Sequence, residues 1–249
     1  MGMFDFLKNK SAQTAAEERK RNAAASFQAT LCNLQPALID RTGKFHKRNF
    51  ATADLSSFKC KSLTSSTSLK KLLTFIAFDT ETTGLSLTGN EVIEISAIKF
   101  INFIPSSIYT TLIRPRKGIP PEATAVNHIT DQMVESAPLF HEIIPSLDAF
   151  IGDSPLIAHN AMFDVTHLYA SGLDSMAKKS VYDTCELSRK ICPNLPNHKL
   201  ATVCANYGLF FNDAHRASAD TLACGMLFVY LLMQKYECRN LAQLLEKCK

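Results

Sequence analysis

The chain has 249 residues, of which 46% are hydrophobic and 20% are charged, as in an ordinary globular protein rather than a disordered or fibrous one. No apolar stretch reaches the ~18 residues that a membrane-crossing helix needs, and the amino terminus lacks the long apolar core of a secretory signal. The eight cysteines are scattered without a CxxC pair, which favours buried thiols over a zinc site. The sequence therefore predicts a protein of the reducing cytoplasm that makes no membrane contact.

The first part of the chain is basic. Residues 1–74 hold 13 Lys and Arg against 5 Asp and Glu, whereas the remainder has a net charge of −4. Residues 11–31 are rich in helix-forming side chains, and residues 50–70 have the serine-rich composition of a linker. We predict a basic, partly helical N-terminal extension over 1–71. Both a nucleic-acid-binding arm and a solvated leader fit this composition.

From residue 72 the pattern changes to apolar runs that alternate with helical periodicity. Strands are predicted at 72–79, 91–101 (with alternating burial), 107–115, 154–160 and within 180–187. Helices are predicted at 122–126, 130–136, 139–151, 161–171, 199–207 and 216–235. This order predicts an α/β domain over 72–237 with a mixed five-stranded sheet flanked by helices, followed by a tail at 238–249.

Two carboxylates lie where the first predicted strand ends, in "TFIAFDTETTG" at 74–84. Asp79 and Glu81 are two residues apart, so on a strand they point to the same face, and Gly84 allows the backbone to turn after them. Carboxylates this close repel each other, and a divalent cation with oxygen ligands relieves that repulsion. The alternative is a pair of surface acids in a turn.

Two later segments add further acids. In "LIAHNAMFD", Asn160 is expected to cap a helix that starts at Ala161, with Asp164 in its first turn, although helix capping alone also explains this pattern. His215 and Asp220 are five residues apart, about 140° around one helix. They share one site only if His215 precedes the helix, and a purely structural histidine is the alternative.

The stretches "FDTETTG", "HNAMFD" and "HRASAD", in this order, resemble the three motifs of the DEDDh exonuclease superfamily. This DnaQ-like group includes bacterial proofreading subunits, and the resemblance covers roughly residues 72–235. It implies a ribonuclease H-like fold. The positions that match the family's five key residues are Asp79, Glu81, Asp164, Asp220 and His215.

The resemblance implies 3′→5′ removal of nucleotides from single-stranded or frayed 3′ ends of DNA, with two Mg²⁺ or Mn²⁺ ions. The four acids would be metal ligands and His215 the general base. The implied substrate-binding residues are Thr82, Thr83, Gly84, Leu85, His128, Asn160 and Phe163. A helix-cap role for His128 and a core role for Phe163 are the alternatives.

Three interpretations of function remain at this stage. The first is a DNA exonuclease, either a proofreading partner of a DNA polymerase or a stand-alone trimming enzyme. The second is an RNA exonuclease of the same fold, since the 2′-hydroxyl, not the catalytic set, separates the two substrates. The third is a non-catalytic adaptor that binds nucleic acid or a polymerase. Because residues 1–71 lie outside the resemblance, the sequence predicts that their removal spares hydrolysis of short single strands.

Overall fold

The computed structural model of the chain describes residues 3–44, 58–64, 66–211 and 216–249, with side chains from residue 16 onward. The strands are β1 (Gln35–Pro36), β2 (Thr74–Thr82), β3 (Val92–Ile101), β4 (Ile104–Leu112), β5 (Leu156–Ala158) and β6 (Val181–Asp183). The helices are α1 (Met3–Cys32), α2 (Pro121–Asn127), α3 (Asp131–Val134), α4 (Phe140–Ile151), α5 (Met162–Ala170), α6 (Thr184–Ile191), α7 (Leu200–Asn206), α8 (Ala217–Lys235) and α9 (Leu241–Glu246). Short 3-10 helices occupy Leu69–Leu72 and Asp174–Lys178.

The strands form one mixed sheet in the order β1-β4-β3-β2-β5-β6. The long strands β2, β3 and β4 form an antiparallel meander, and β5 and β6 continue the sheet parallel to β2. This architecture confirms the predicted ribonuclease H-like fold. The sheet has one strand more than the five predicted, because residues 35–36 of the N-terminal extension pair in parallel with β4.

The two faces of β2 carry two different cores. Phe75 and Ala77 pack with α8, while Ile76 and Phe78 pack with α4 and α5 on the opposite face. This division follows from the period of two along a strand. Odd-numbered residues of β2 therefore face α8, which determines where the carboxylates at the end of the strand point.

Helix α8 is the central helix of the domain. By length and composition, its 19 residues could cross a membrane, whereas no stretch of that length was expected from the sequence. However, 67% of that window is buried inside the fold. At Gly225 a Cβ would overlap the ring of Phe100 and lie 3.0 Å from the Cβ of Ala77. The missing side chain thus allows α8 to lie unusually close to the sheet.

Several predicted boundaries were wrong for identifiable reasons. Strand β2 continues to Thr82, beyond the predicted end at residue 79, so Glu81 also lies on the strand rather than after it. The predicted alternation of β3 is also wrong, since nine of its ten residues are buried or half-buried in the middle of a sheet covered on both faces. Helix α9 lies in the predicted tail, where Asn240 caps it by accepting from Gln243 N.

The described parts of the N-terminal extension contact the domain at both edges of the sheet. Phe27 and Leu34 join the core on the α8 side, and β1 covers the β4 edge. At the other edge the Lys61 N–H donates to Val181 O of β6 at 2.7 Å. The domain boundary near residue 72 stays a prediction, and these contacts indicate that the extension contributes to the core.

Candidate active site

Three carboxylates from two distant segments meet at the end of the sheet. Asp79 and Glu81 are odd-numbered residues of β2, so they face α8, where Asp220 lies in the first turn. One carboxylate oxygen from each of the three lies within 4.8 Å of the other two. The strand period and the close approach of α8 to the sheet together bring these acids to one point.

Asp164 approaches this cluster from the opposite face of the sheet. It lies in the first turn of α5 and is buried, with 3% of its surface exposed. Its Oδ1 accepts from both the backbone N–H of Thr80 (2.9 Å) and the Thr80 hydroxyl (2.7 Å). Thr80, which lies between Asp79 and Glu81 in the sequence, therefore holds Asp164 at the same end of the strand. Asp164 is not one of the three acids whose oxygens lie within 4.8 Å of one another. The sequence motif did not reveal this role of Thr80.

The proximity and burial of these acids raise their pKa values. Burial, followed by the charges of Asp164 and Asp220, raises the pKa of Asp79 well above its ordinary value. Burial and neighbouring carboxylates raise the pKa of Glu81 to about 8, and burial raises that of Asp164 to about 7 despite the hydrogen bonds from Thr80. A group of acids that resists ionisation in this way is suited to a cation, which would offset the repulsion.

A half-buried ion pair, in which Glu94 is buried and the Arg216 side chain is 39% exposed, anchors the start of α8 beside the cluster. Glu94 of β3 lies directly opposite Glu81 in the strand register and is 3% exposed. Its carboxylate accepts from Arg216 Nη2 (2.9 Å), Arg216 Nε (3.3 Å) and the backbone N–H of Ala217 (3.1 Å). Glu94 thus binds the free N–H end of the helix that carries Asp220. A carboxylate among the apolar residues at the start of this strand was the available signal for this role.

Replacing Glu94 by alanine is expected to lower both stability and turnover. The change leaves Arg216 and the first turn of α8 without their anchor, which costs about 2–3 kcal/mol of unfolding free energy. A shift of Asp220 should reduce kcat by about 10- to 100-fold, as for residues that orient metal ligands. Thermal unfolding and steady-state kinetics measure both effects. Glu246→Ala, which removes the exposed pair with Lys249, is the control and should change neither by more than a small amount.

His215 lies outside the described residues, so its predicted role stays a prediction. The predicted capping by Asn160 is wrong, because α5 begins at Met162 after Ala161 and makes no side-chain cap hydrogen bond. Asn160 instead adopts a left-handed conformation at φ 62°. The carboxylate of Asp183 holds this turn by accepting from Asn160 N (3.0 Å) and Ala161 N (3.2 Å), and so positions α5 and Asp164.

The loop after β2 presents backbone rather than polar side chains. Thr82 and Thr83 are buried, with hydroxyls engaged by Gly84 O (2.8 Å) and the Glu91 N–H (2.9 Å). Leu85 follows Gly84 and is 86% exposed. An exposed leucine beside the acidic cluster is available for contact with a ligand.

The loop at 125–130, which carries the predicted substrate-binding residue His128, is tied to the same strand end. Asn127 is buried, and its Nδ2 donates to Thr82 O at 3.3 Å, while its Oδ1 accepts from Ile129 N at 3.1 Å. His128 is exposed in a left-handed conformation (φ 61°) at the C-cap of α2. Phe163 is half-buried, its ring 4.3 Å from that of His167, so it is not a fully buried core residue.

The acidic cluster fits a divalent cation by its donor chemistry. Hard cations prefer carboxylate oxygens, and the three side chains lie close enough together to share one ion. The fold and this cluster together define a nuclease-type, metal-dependent enzyme of the ribonuclease H-like class.

Comparison with known proteins agrees with this class. The model of the family described as Exonuclease matches residues 76–228, which is more than half of the chain. The chain belongs to this exonuclease family. Over 180 residues it is 38% identical to the DNA polymerase III subunit epsilon of Treponema pallidum, covering 68% of this chain and 83% of that protein.

Other relatives are longer than this chain. Identity to the PolC-type DNA polymerase III of Bacillus subtilis is 34% over 168 residues, which span 66% of this chain but only 12% of that protein. Among solved structures, exonuclease X in complex with 5′-overhanging duplex DNA has a TM-score of 0.55 at 24% identity, covering 70% of this chain and 99% of that one. Exonuclease I of E. coli in complex with a dA16 oligonucleotide has a TM-score of 0.54 at 17% identity, covering 70% and 42%. These two similarities indicate the fold.

Proposed function

We propose that the chain is a 3′→5′ exonuclease that hydrolyses phosphodiester bonds at the 3′ ends of DNA. The observation that carries this proposal is the convergence of Asp79, Glu81 and Asp220, with their oxygens within 4.8 Å, in a chain of the exonuclease family. The DNA-polymerase relatives support DNA over RNA as the substrate.

Asp79, Glu81 and Asp220 would hold a divalent ion, Mg²⁺ or Mn²⁺, and Asp164 would help to hold a second. Bound ions of this kind stabilise the charge on an attacking and a leaving oxygen in phosphoryl transfer. Thr80 orients Asp164, and Glu94 orients the helix that carries Asp220. His215 is proposed as the base that accepts a proton from the attacking water, for which an ordinary histidine pKa near 6.5 is suitable.

The 3′-terminal nucleotide would bind beside the acids. The backbone of Thr82, Thr83 and Gly84 would contact the nucleotide, while exposed Leu85 and half-buried Phe163 would pack against bases. His128 and Asn160, both exposed at left-handed turns, would reach the sugar or phosphate.

The biological setting follows from the relatives and the thiols. Similarity to a polymerase subunit supports a DNA polymerase as partner, with proofreading or end trimming as the task. All eight cysteines, which lie in the described part of the chain, are free thiols, and this supports a reducing cytoplasm.

The decisive experiment uses the purified full chain on DNA and RNA oligonucleotides of one sequence, labelled at the 5′ or the 3′ end. With Mg²⁺, the 5′-labelled DNA should shorten stepwise, and the 3′ label should leave as a mononucleotide in the first step. EDTA should stop both reactions. Release of the 5′ label first would contradict the polarity, and faster loss of RNA than of DNA would favour the RNA exonuclease.

A further inference from the structure

A groove of about 440 Å³ lies at the end of the sheet that carries the candidate active site. One wall is the segment 114–118 that follows β4, and the other is formed by residues 131–135 in and after α3. We call it the 114–118 groove. Because β4 is antiparallel to β3 and β3 to β2, the carboxyl end of β4 lies at the same end of the sheet as Glu81.

Hydrogen bonds connect this groove to the site. Arg116 Nε donates to Glu91 Oε2 at 3.1 Å. Glu91 in turn exchanges two hydrogen bonds of 2.9 Å with Thr83, one from its backbone N–H and one to its carbonyl. The second wall begins directly after the loop at 125–130, which Asn127 ties to Thr82. A strand leaving the acids along this side would therefore enter the groove.

The first wall carries three exposed cations within four residues, Arg114, Arg116 and Lys117. Glu91 pairs with Arg116, and Arg114 Nη1 makes one long hydrogen bond of 3.5 Å to Glu135 O on the opposite wall. Arg114 and Lys117 are therefore the cations that the groove offers to an anionic ligand. On the opposite wall, Asp131 Oδ1 is engaged by the Ile119 N–H at 2.9 Å, and Glu135 is exposed. This group of three cations lies in a part of the chain, residues 75–249, that is acidic as a whole, with a net charge of −4.

We propose that the 114–118 groove binds the phosphodiester backbone of the single strand upstream of its 3′ end, through Arg114 and Lys117. This inference rests on the proposed exonuclease function and assigns the side of the site on which the strand runs. Two cations held at a groove give a charge-dependent contact that does not read sequence. The contact should exist only for substrates of several nucleotides.

The test compares Arg114→Gln/Lys117→Gln with Arg239→Gln/Lys247→Gln, which removes the same charge. The control residues follow the far end of α8, which lies more than 20 Å from Asp220 at ~1.5 Å per residue. Binding of a 5′-fluorescein-labelled dT16 strand is followed by anisotropy in Ca²⁺ over a range of NaCl concentrations. The groove variant should bind about tenfold more weakly, and its salt slope should fall by about 0.7 for each lost phosphate contact.

A second variant has the opposite expected effect. Glu135→Lys replaces a negative charge of the groove wall by a positive one, so it should bind the same strand more tightly. An affinity and a salt slope of Arg114→Gln/Lys117→Gln equal to those of the control variant would overturn the proposal.

Hydrolysis of the p-nitrophenyl ester of thymidine 5′-monophosphate, which is too short to reach the groove, is measured separately. Its kcat/KM should be unchanged in the groove variant, and its absence in the unmodified protein would refute the exonuclease function without affecting the binding comparison.

Discussion

Replacing Asp79 by asparagine is expected to abolish hydrolysis while leaving the protein folded and, without divalent ions, more stable. Asp79 belongs to the three-carboxylate cluster, and loss of a metal-binding oxygen removes several kcal/mol of transition-state stabilisation. At 1.36 kcal/mol per tenfold change, kcat should fall by about 1,000-fold or more. Gel assays with labelled oligonucleotides measure this loss. Asp153→Asn, an exposed acid before the opposite end of β5, is the control and should keep full activity.

The gain in stability has a definite pH dependence. In the folded protein the pKa of Glu81 rises from 4.5 to about 8, and that of Asp164 rises from 3.8 to about 7. Between about pH 4 and pH 8 the folded state therefore binds more protons than the unfolded state, so the free energy of unfolding falls as pH rises through this window. Removing one charge from the cluster weakens this effect. At pH 8 in EDTA, Asp79→Asn should be about 1–3 kcal/mol more stable than the unmodified protein.

Urea denaturation in EDTA at pH 5 and pH 8 measures the difference in unfolding free energy between Asp79→Asn and the unmodified protein. The advantage of Asp79→Asn should shrink at pH 5, where the neighbouring carboxyls are already protonated. If the cluster binds Mg²⁺ as proposed, addition of Mg²⁺ should stabilise the unmodified protein, because the cluster exists only in the folded state, and should stabilise the variant less. A variant less stable than the unmodified protein at pH 8 would contradict the view that these acids repel one another.

Removal of residues 1–71 is expected to destabilise the domain strongly, contrary to the expectation from sequence. The extension contributes Phe27 and Leu34 to the core, the edge strand β1 and the hydrogen bond from Lys61 to β6. Phe27 is only 4% exposed and stacks on Phe211 with ring centroids 5.4 Å apart. The truncated chain should express poorly or unfold at a much lower temperature, as measured by calorimetry.

Single substitutions separate packing from a general effect of truncation. Phe27→Ala should lower the free energy of unfolding by about 3 kcal/mol, the usual result of truncating a buried aromatic ring. Leu38→Ala changes a residue of the same extension that is 84% exposed, and its effect should be below about 0.5 kcal/mol. Equal stability of the two variants would mean that α1 does not pack as described.

The parts of this protein that were predictable from sequence are those with short-range patterns. Asp79 and Glu81 share a face because a strand has a period of two, and Asp164 and Asp220 lie in the first turns of their helices as expected. The central strands and most helices were also within a few residues of their predicted positions. Apolar runs and helical periodicity are properties of neighbouring residues, which explains this success.

Long-range pairings were not predictable in the same way. Nothing in the sequence connects Thr80 with Asp164 or Glu94 with Arg216, since each pair is more than 80 residues apart and is formed only by the assembled sheet. The edge strand β1 has two residues and contains Pro36, so it shows no strand pattern of its own. Burial of β3 on both of its faces likewise depends on what covers the sheet and not on the strand itself.

Gly225 links the packing of the core to the spacing of the acids. Because this residue has no side chain, α8 rests directly against Phe100 and Ala77, five residues along the helix from Asp220. A methyl group at this position would push α8 away from the sheet and so move the Asp220 carboxylate away from Asp79 and Glu81. The spacing of the three carboxylates therefore depends on an apolar contact in the core. A measurement of ion affinity in Gly225→Ala would detect a change in that spacing.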